Sequence, residues 1–375
     1  MELLFLLLPI AAAYGWFYGR NSLRQQELKG RANVAKNLSS GLNFLLTDQE
    51  DKAIEQLLQL LDIEAASIDT YLALANLFRR RGDWDKAIHI HEKLHQLKLP
   101  KSQAQAIQLE LAKDYFSAGL YDRAEDLLRP LVKSEQFKDT VLKQLFNLFT
   151  VTHDWHKAAE FQADVLETES KSLRIILANL RCEDKQHPLD LISLRILSQQ
   201  YPQAIRPKIE LARHLHRDGL DDEAAVAFKA VLSQKPQWAA EVLPHLRSCQ
   251  LPAEEWYQLL SQLVHKQKNI TATLFLADWY TETGSAIAAE QLLLDKLQQQ
   301  PNIRLFQRLL QIRQITKPEQ RDALQGIEQL VQAYLETKIL YNCRNCGFKT
   351  RQAYWLCPSC KQWETVEPLS GIDGR

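Results

Sequence analysis

Apolar residues recur at helical spacing through most of this chain, in units that repeat one pattern. In the four strongest units, a Leu-Ala pair is followed by a large apolar residue three positions after the alanine, then by a glycine and a second alanine. The small residues let two antiparallel helices approach closely, and the glycine marks the turn between them. The pattern therefore predicts helix–turn–helix units, whose Leu-Ala pairs begin at Leu74, Leu111, Leu211 and Leu276.

Weaker copies fill the gaps between these units, with a poor fit at Asp190. The position of the second-helix alanine recurs at residues 53, 87, 124, 158, 190, 224, 256 and 289. This spacing of about 34 residues resembles that of the tetratricopeptide repeat. One helix pair cannot bury its apolar face, so neighbouring pairs must stack. We predict an all-α superhelical solenoid of about nine pairs over residues 36–341, with a protein-binding concave surface and a last helix from Glu319 to Tyr341.

The start of the chain has a different pattern, because Leu3–Gly19 contains no charged residue. Its length is sufficient for a membrane-spanning helix, which needs roughly 17–25 apolar residues. Aromatic residues cluster at its far end and basic residues follow it, which places the rest of the chain in the cytoplasm. A cleaved signal peptide is the alternative, but the positive charge lies on the wrong side. We predict a transmembrane anchor over residues 1–19 and a juxtamembrane linker over residues 20–35.

Two Cys-x-x-Cys pairs lie near the C-terminus. Each two-residue gap lets both thiols face one ion, and four thiolates suit a tetrahedral zinc or iron ion. Four protein ligands leave no open position for water, so we expect one structural metal ion, iron or zinc, in a small domain over residues 342–375. A pair of disulfides or free thiols is the alternative, and a cytoplasmic location disfavours disulfides. The predicted ligands are Cys343, Cys346, Cys357 and Cys360.

The short tail needs the metal ion for much of its folding free energy. Gly347 follows the first cysteine pair and can adopt a positive φ, which lets backbone N–H groups point at sulfur. We expect the aromatic residues of the tail to form a small core and to dock on the last repeats, residues 256–335. These aromatic residues are Phe348, Tyr354, Trp355 and Trp363.

Composition excludes several classes of function. Lys+Arg and Asp+Glu both total 46, so the net charge is zero, and nucleic acid is not an expected partner. Glycine is scarce, at 12 residues, and the sequence contains no G-x-G-x-x-G, Walker or G-x-S-x-G motif. Nucleotide-binding and serine-hydrolase chemistry are therefore not indicated.

One motif does point to catalysis: residues 91–95 read HEKLH, the H-E-x-x-H pattern of zinc proteases. A catalytic zinc needs three protein ligands and an open position, and Glu110 is the downstream candidate for the third. Helical residues four apart share a face with or without a metal, so we interpret the motif as a turn of a repeat helix and predict no catalytic residue and no enzyme. The histidines without ligand spacing are expected to be ordinary surface or core residues: His89, His153, His156, His214 and His216. Cys182 and Cys249 lie in the repeats without partners, and we expect both to be buried as small apolar residues.

The order of these features is distinctive. An apolar start reading ELLFLLLPIAAAYGWFYGR, a repeat array and a tail reading NCRNCGFKTRQAYWLCPSC resemble the lipopolysaccharide assembly protein B family of Gram-negative bacteria, and the tail resembles rubredoxin. The resemblance implies an inner-membrane adaptor that faces the cytoplasm and helps the membrane protease FtsH degrade the lipid A deacetylase LpxC. It also implies a link to lipopolysaccharide transport proteins, so a scaffold between synthesis and export, without a role in proteolysis, is the alternative. The family's metal ligands correspond to the four cysteines named above.

Overall fold

The computed structural model describes residues 68–267 and 269–374. These residues form sixteen α-helices followed by three short β-strands, and the chain divides into two compact units, residues 1–148 and 149–375. The predicted anchor, the linker and the first helix pair lie outside the described residues. Within the described part of the chain, no helix combines the length and the apolar character that a membrane span requires.

The described part of the first unit contains four helices and most of a fifth. They are α1 (Ile68–Arg81), α2 (Trp84–His95), α3 (Lys101–Ser117), α4 (Tyr121–Leu128) and α5 (Lys138–Thr152), which continues past Leu148. α2 packs against both α1 and α3, and α4 packs on α3. Apolar residues from α1, α2 and α3 form one buried cluster, so consecutive pairs share a core.

The described part of the second unit contains the remaining helices. They are α6 (Gln162–Glu167), α7 (Lys171–Glu183), α8 (Leu191–Gln200), α9 (Arg206–Arg217), α10 (Asp221–Gln234), α11 (Ala239–Ser248), α12 (Ala253–Gln267), α13 (Ile270–Glu282), α14 (Ala286–Gln299), α15 (Ile303–Thr316) and α16 (Arg321–Glu336). Short 3-10 segments precede α6, α11 and α16. Two clusters of buried apolar residues extend through α8–α13 and α13–α15, so the core is continuous along the stacked pairs.

Burial of the small residues confirms the repeat prediction. In each strong unit, the alanine of the first helix and the alanine of the second are buried together where the two helices pack. A small side chain at both positions allows this close approach, as the sequence pattern predicted. The buried pairs are Ala75 with Ala87, Ala112 with Ala124, Ala212 with Ala224, and Ala277 with Ala289.

Two elements depart from the predicted pattern. Asp190, at the alanine position of a weak copy, is the N-cap of α8, and its carboxylate accepts a hydrogen bond from the Ser193 N–H at 2.8 Å. Such a cap satisfies a free N–H of the first helical turn, so α8 begins only after this residue. The last helix is shorter than the predicted span from Glu319 to Tyr341. α16 ends at Glu336, and Tyr341 lies in a β-strand.

A residue with positive φ closes the turn in each strong unit. In one such turn, the Leu220 N–H donates to the Leu215 carbonyl at 2.9 Å, the bond of a Schellman motif. His153 occupies the equivalent position of a weaker copy, with φ of 61°. The turn geometry therefore requires the left-handed conformation, which glycine adopts without a Cβ penalty. The glycines at this position, with φ of 77–90°, are Gly82, Gly119, Gly219 and Gly284.

Replacement of Gly219 by alanine should lower the melting temperature, because an L side chain in a left-handed conformation costs roughly 1–2 kcal/mol. Steric contact is not the cause, since an added Cβ would meet no atom within 4 Å. Gly326 is equally open but lies inside α16, so Gly326→Ala should raise the melting temperature by a gain of roughly 0.5–1 kcal/mol. Thermal unfolding of both variants is the measurement, and shifts of the same sign would contradict this explanation.

Candidate metal centre

A small three-stranded sheet follows the helices, in residues 341–374, here called the metal domain. β1 (Tyr341–Cys343) is central and pairs antiparallel with β2 (Lys349–Thr350) and β3 (Val366–Pro368). The first cysteine pair lies at the end of β1 and in the turn that leads to β2. The second lies in a turn closed by the antiparallel pairing of Leu356 with Trp363. Two hairpin turns therefore carry the two cysteine pairs.

The four thiols converge on one point. The sulfur atoms lie within 4.8 Å of one another, and the Cys343–Cys360 and Cys346–Cys357 separations are both 3.7 Å. A tetrahedral ion with metal–sulfur bonds of about 2.3 Å places its ligands about 3.8 Å apart. Gly347 has φ of 74°, in agreement with the prediction for the first turn. The donor set and spacing fit one structural ion, zinc or iron, in this rubredoxin-like domain.

The surroundings of Cys343 and Cys357 shift the pKa values of the two thiols in opposite directions. Burial raises the pKa of Cys343, but the Thr365 hydroxyl and the backbone N–H groups of Cys346 and Asn345 lower it to about 6. Burial raises the pKa of Cys357 to about 12, and neighbouring thiols add to the rise. One thiol thus loses its proton readily, whereas another keeps it until a cation replaces the proton.

A buried carboxylate connects the metal domain with the repeats. Glu364 is 4 % exposed, and its Oε1 accepts hydrogen bonds from Asn179 Nδ2 at 3.0 Å and from the N–H groups of Ile205 and Arg206 at 2.9 and 3.2 Å. The Lys235 ammonium lies 3.7 Å from Oε2. No side chain of its own segment caps the start of α9. Glu364 therefore caps this helix from a distant part of the chain and places a negative charge at the positive end of its dipole.

Two tryptophans of the metal domain pack on the repeats. Trp355 stacks on Trp238 with ring centroids 4.8 Å apart, and Trp363 meets Trp155 edge to face at 6.3 Å. These contacts correct two expectations. The tryptophans do not simply fill a core of the metal domain, and their partners precede residues 256–335.

The last residues of the chain do contact the predicted docking region, through the main chain. The Ile303 N–H donates to the Ile372 carbonyl at 2.9 Å, and Asn302 Nδ2 donates to the carbonyls of Gly371 and Gly374 at 3.0 and 3.1 Å. Sequence reasoning missed both Asn302 and the buried carboxylate. The signal for the latter is the start of α9, which lacks the serine, threonine, aspartate or asparagine that normally caps a helix.

The zinc-protease motif forms no metal site within the described residues. His91 is 0 % exposed in α2, and its Nδ1 hydrogen-bonds the buried carboxylate of Asp114, whereas His95 is exposed. Glu110, the candidate third ligand, instead forms an ion pair with Arg79 at 2.6 Å. The motif therefore contributes a buried contact between two successive helix pairs, in agreement with its interpretation as a repeat turn.

A second group of potential ligands was not predicted. His216, Asp221 and Cys249 bring a ring nitrogen, a carboxylate oxygen and a sulfur within 4.8 Å of one another. The three residues lie at the end of α9, the start of α10 and just after α11. Cys249 is buried as expected, but it is not without a partner, since its sulfur lies 3.8 Å from His216 Nδ1. Their positions along the chain form no ligand motif, which is why the sequence did not reveal them.

Comparisons with known proteins extend over the whole chain. A family model described as a rubredoxin metal binding domain matches residues 341–368. Lipopolysaccharide assembly protein B of Escherichia coli strain K12 is 32 % identical over 389 residues, covering 100 % of both chains. The protein of that name from Haemophilus influenzae is 32 % identical, covering 99 % of this chain and 98 % of its own. The solved C-terminal part of a TPR repeat-containing protein from Cytophaga hutchinsonii covers 69 % of this chain and 94 % of its own, at 14 % identity and a TM-score of 0.37.

Proposed function

The chain belongs to the lipopolysaccharide assembly protein B family, and we propose that it is an adaptor that regulates lipopolysaccharide synthesis by binding other proteins. The observation that carries the proposal is the 32 % identity to the Escherichia coli protein of that name over the full length of both chains. Stacked helix pairs support it, because repeat arrays present extended surfaces that bind protein partners.

In the proposed mechanism, residues 1–19 hold the chain at the inner membrane, with the repeats in the cytoplasm. The repeats bind the deacetylase LpxC and the membrane protease FtsH, which then degrades the deacetylase. Two partners held on one molecule meet at a higher effective concentration, so their reaction accelerates. This role needs no catalytic group of the adaptor, and we infer that the chain is not an enzyme.

The metal domain has a structural part in this proposal. Cys343, Cys346, Cys357 and Cys360 hold the ion of this domain, which fixes the two hairpin turns relative to each other. With the turns fixed, Glu364, Trp355 and Trp363 are held against the repeats. Four sulfur ligands leave no position at the ion for a substrate.

The adaptor function is tested by the half-life of LpxC in cells that lack the native gene. We expect the full chain to shorten this half-life and the chain without residues 1–19 to leave it long. A third form, in which an unrelated transmembrane helix of the same orientation replaces residues 1–19, should restore rapid turnover. Equal turnover with and without the first nineteen residues would refute the tether, and failure of the full chain would refute the adaptor.

The alternative function is a scaffold that joins lipopolysaccharide synthesis to export. It is favoured by the name of the relatives, which refers to assembly. Affinity purification from solubilised membranes separates the two functions. Recovery of FtsH and LpxC supports the adaptor, whereas recovery of transport proteins without either of them supports the scaffold.

A further inference from the structure

Three side chains with different donor atoms meet between two successive helix pairs. His216 Nδ1 lies 2.5 Å from Asp221 Oδ1 and 3.8 Å from Cys249 Sγ. His216 and Asp221 flank the turn between α9 and α10, while Cys249 follows α11 of the next pair. The stacking of the repeats thus brings together a set that no single element contains.

A catalytic Cys-His-Asp relay does not explain this arrangement. In such a relay, the nucleophile and the carboxylate occupy opposite nitrogens of the imidazole ring. Here the same nitrogen, Nδ1, faces both the Cys249 sulfur and the Asp221 oxygen. Burial, together with the nearby Asp221 carboxylate, raises the pKa of the Cys249 thiol, which disfavours a free thiolate nucleophile.

We propose that His216, Asp221 and Cys249 form a second metal site, separate from the four-cysteine centre, for a divalent ion of the zinc type. Histidine nitrogen, carboxylate oxygen and thiolate sulfur are the three donors that zinc prefers, with bonds of about 2.0–2.3 Å. On binding, the ion takes the place of the thiol proton, which passes to solvent, and the ring proton that Nδ1 shares with Asp221 is carried on Nε2 instead. A neutral imidazole, a carboxylate and a thiolate then balance the two positive charges of the ion.

The separations of the donor atoms fit this assignment after one small movement. Ligands of a tetrahedral zinc ion lie about 3.3–3.8 Å apart, and the histidine-to-sulfur distance already matches. The Asp221 oxygen must withdraw by about 1 Å, and the aspartate side chain, 41 % exposed, is free to turn toward solvent. His245, one turn before Cys249, is engaged by Arg213 at 3.4 Å, so it is not counted among the donors of this site.

An ion at this position would link the α9–α10 turn directly to the end of α11. Two successive repeats would then be joined by a metal bridge in addition to their apolar contacts. Zinc from the solvent would reach this bridge through the partly exposed side chains of His216 and Asp221. The ion in the metal domain, in contrast, is surrounded by four cysteines.

Zinc titration of the purified full chain, followed by native mass spectrometry, tests this proposal. We expect the parent chain to bind one ion beyond the ion of the metal domain. Cys249→Ser and Asp221→Asn should each weaken this second event by at least about 10–100-fold, judging from the effect of lesser changes around metal ligands. The Asp221 side chain is partly exposed, at 41 %, so its substitution keeps the test valid if the cysteine variant does not fold.

Two controls locate the second ion. His214→Ala changes a neighbouring histidine of α9 and should leave both ions in place. Cys357→Ser should lose the ion of the metal domain and keep the second. The proposal is overturned if added zinc gives no second ion, or if Asp221→Asn and Cys249→Ser bind it as tightly as the parent chain.

Discussion

Cys357→Ser is expected to remove one equivalent of metal per chain and to unfold residues 341–368. The Cys357 side chain is fully buried, at 0 % exposure. The apolar cluster of this domain contains four buried residues, and two of them are cysteines. Such a core is too small to fold the segment alone, whereas structural zinc contributes roughly 10–16 kcal/mol of apparent binding free energy. Metal analysis of the purified chain and hydrogen exchange over these residues are the measurements.

The same variant should loosen the repeats at a defined place. The N–H groups of Ile205 and Arg206 donate to Glu364, so their exchange should accelerate once the metal domain unfolds. Cys182→Ser is the matched control, because Cys182 lies in α7, outside the metal domain. This substitution should leave the metal content unchanged. Full metal content in Cys357→Ser, or unaltered exchange at Ile205 and Arg206, would contradict this account.

Glu364→Ala should be the second most disruptive change, with a loss of roughly 2–4 kcal/mol in the free energy of unfolding. The substitution leaves the N–H groups of Ile205 and Arg206 and the amide of Asn179 buried without their acceptor. It also removes the negative charge at the start of α9, beside Lys235. The metal ion should remain bound, since Glu364 is not one of its ligands. Denaturant unfolding and metal analysis together test both parts.

Two variants make this result specific. Glu364→Gln keeps an oxygen acceptor of similar size but removes the charge. Its free energy of unfolding should therefore fall by less than that of the alanine variant. Glu319 is an exposed carboxylate in the 3-10 turn before α16, and Glu319→Ala should change stability by less than about 0.5 kcal/mol. Equal losses for Glu364→Ala and Glu319→Ala would show that the buried carboxylate does not hold the domain in place.

Much of the fold could be predicted because its signals are local. Ala75 and Ala87 are buried together because the close approach of the two helices of a pair requires small residues at these positions. The two thiols of each Cys-x-x-Cys pair lie close together because only two residues separate them, and the four sulfur atoms lie within 4.8 Å of one another. The end of α16 was misjudged because Tyr341 is compatible with a helix, whereas its pairing with Thr350 and Pro368 depends on strands that follow later in the chain.

The sequence by itself determined the repeat period, the two cysteine pairs and the family, since each of these is carried by the order and spacing of residues along the chain. The tertiary structure decided where the metal domain docks, that Glu364 caps α9, and that His216 lies beside Cys249. The contacts of Glu364 with Asn179 and of Cys249 with His216 join residues separated by 185 and 33 positions. Their distances depend on how successive helix pairs rotate and stack, and no local pattern of apolar and polar residues encodes that geometry.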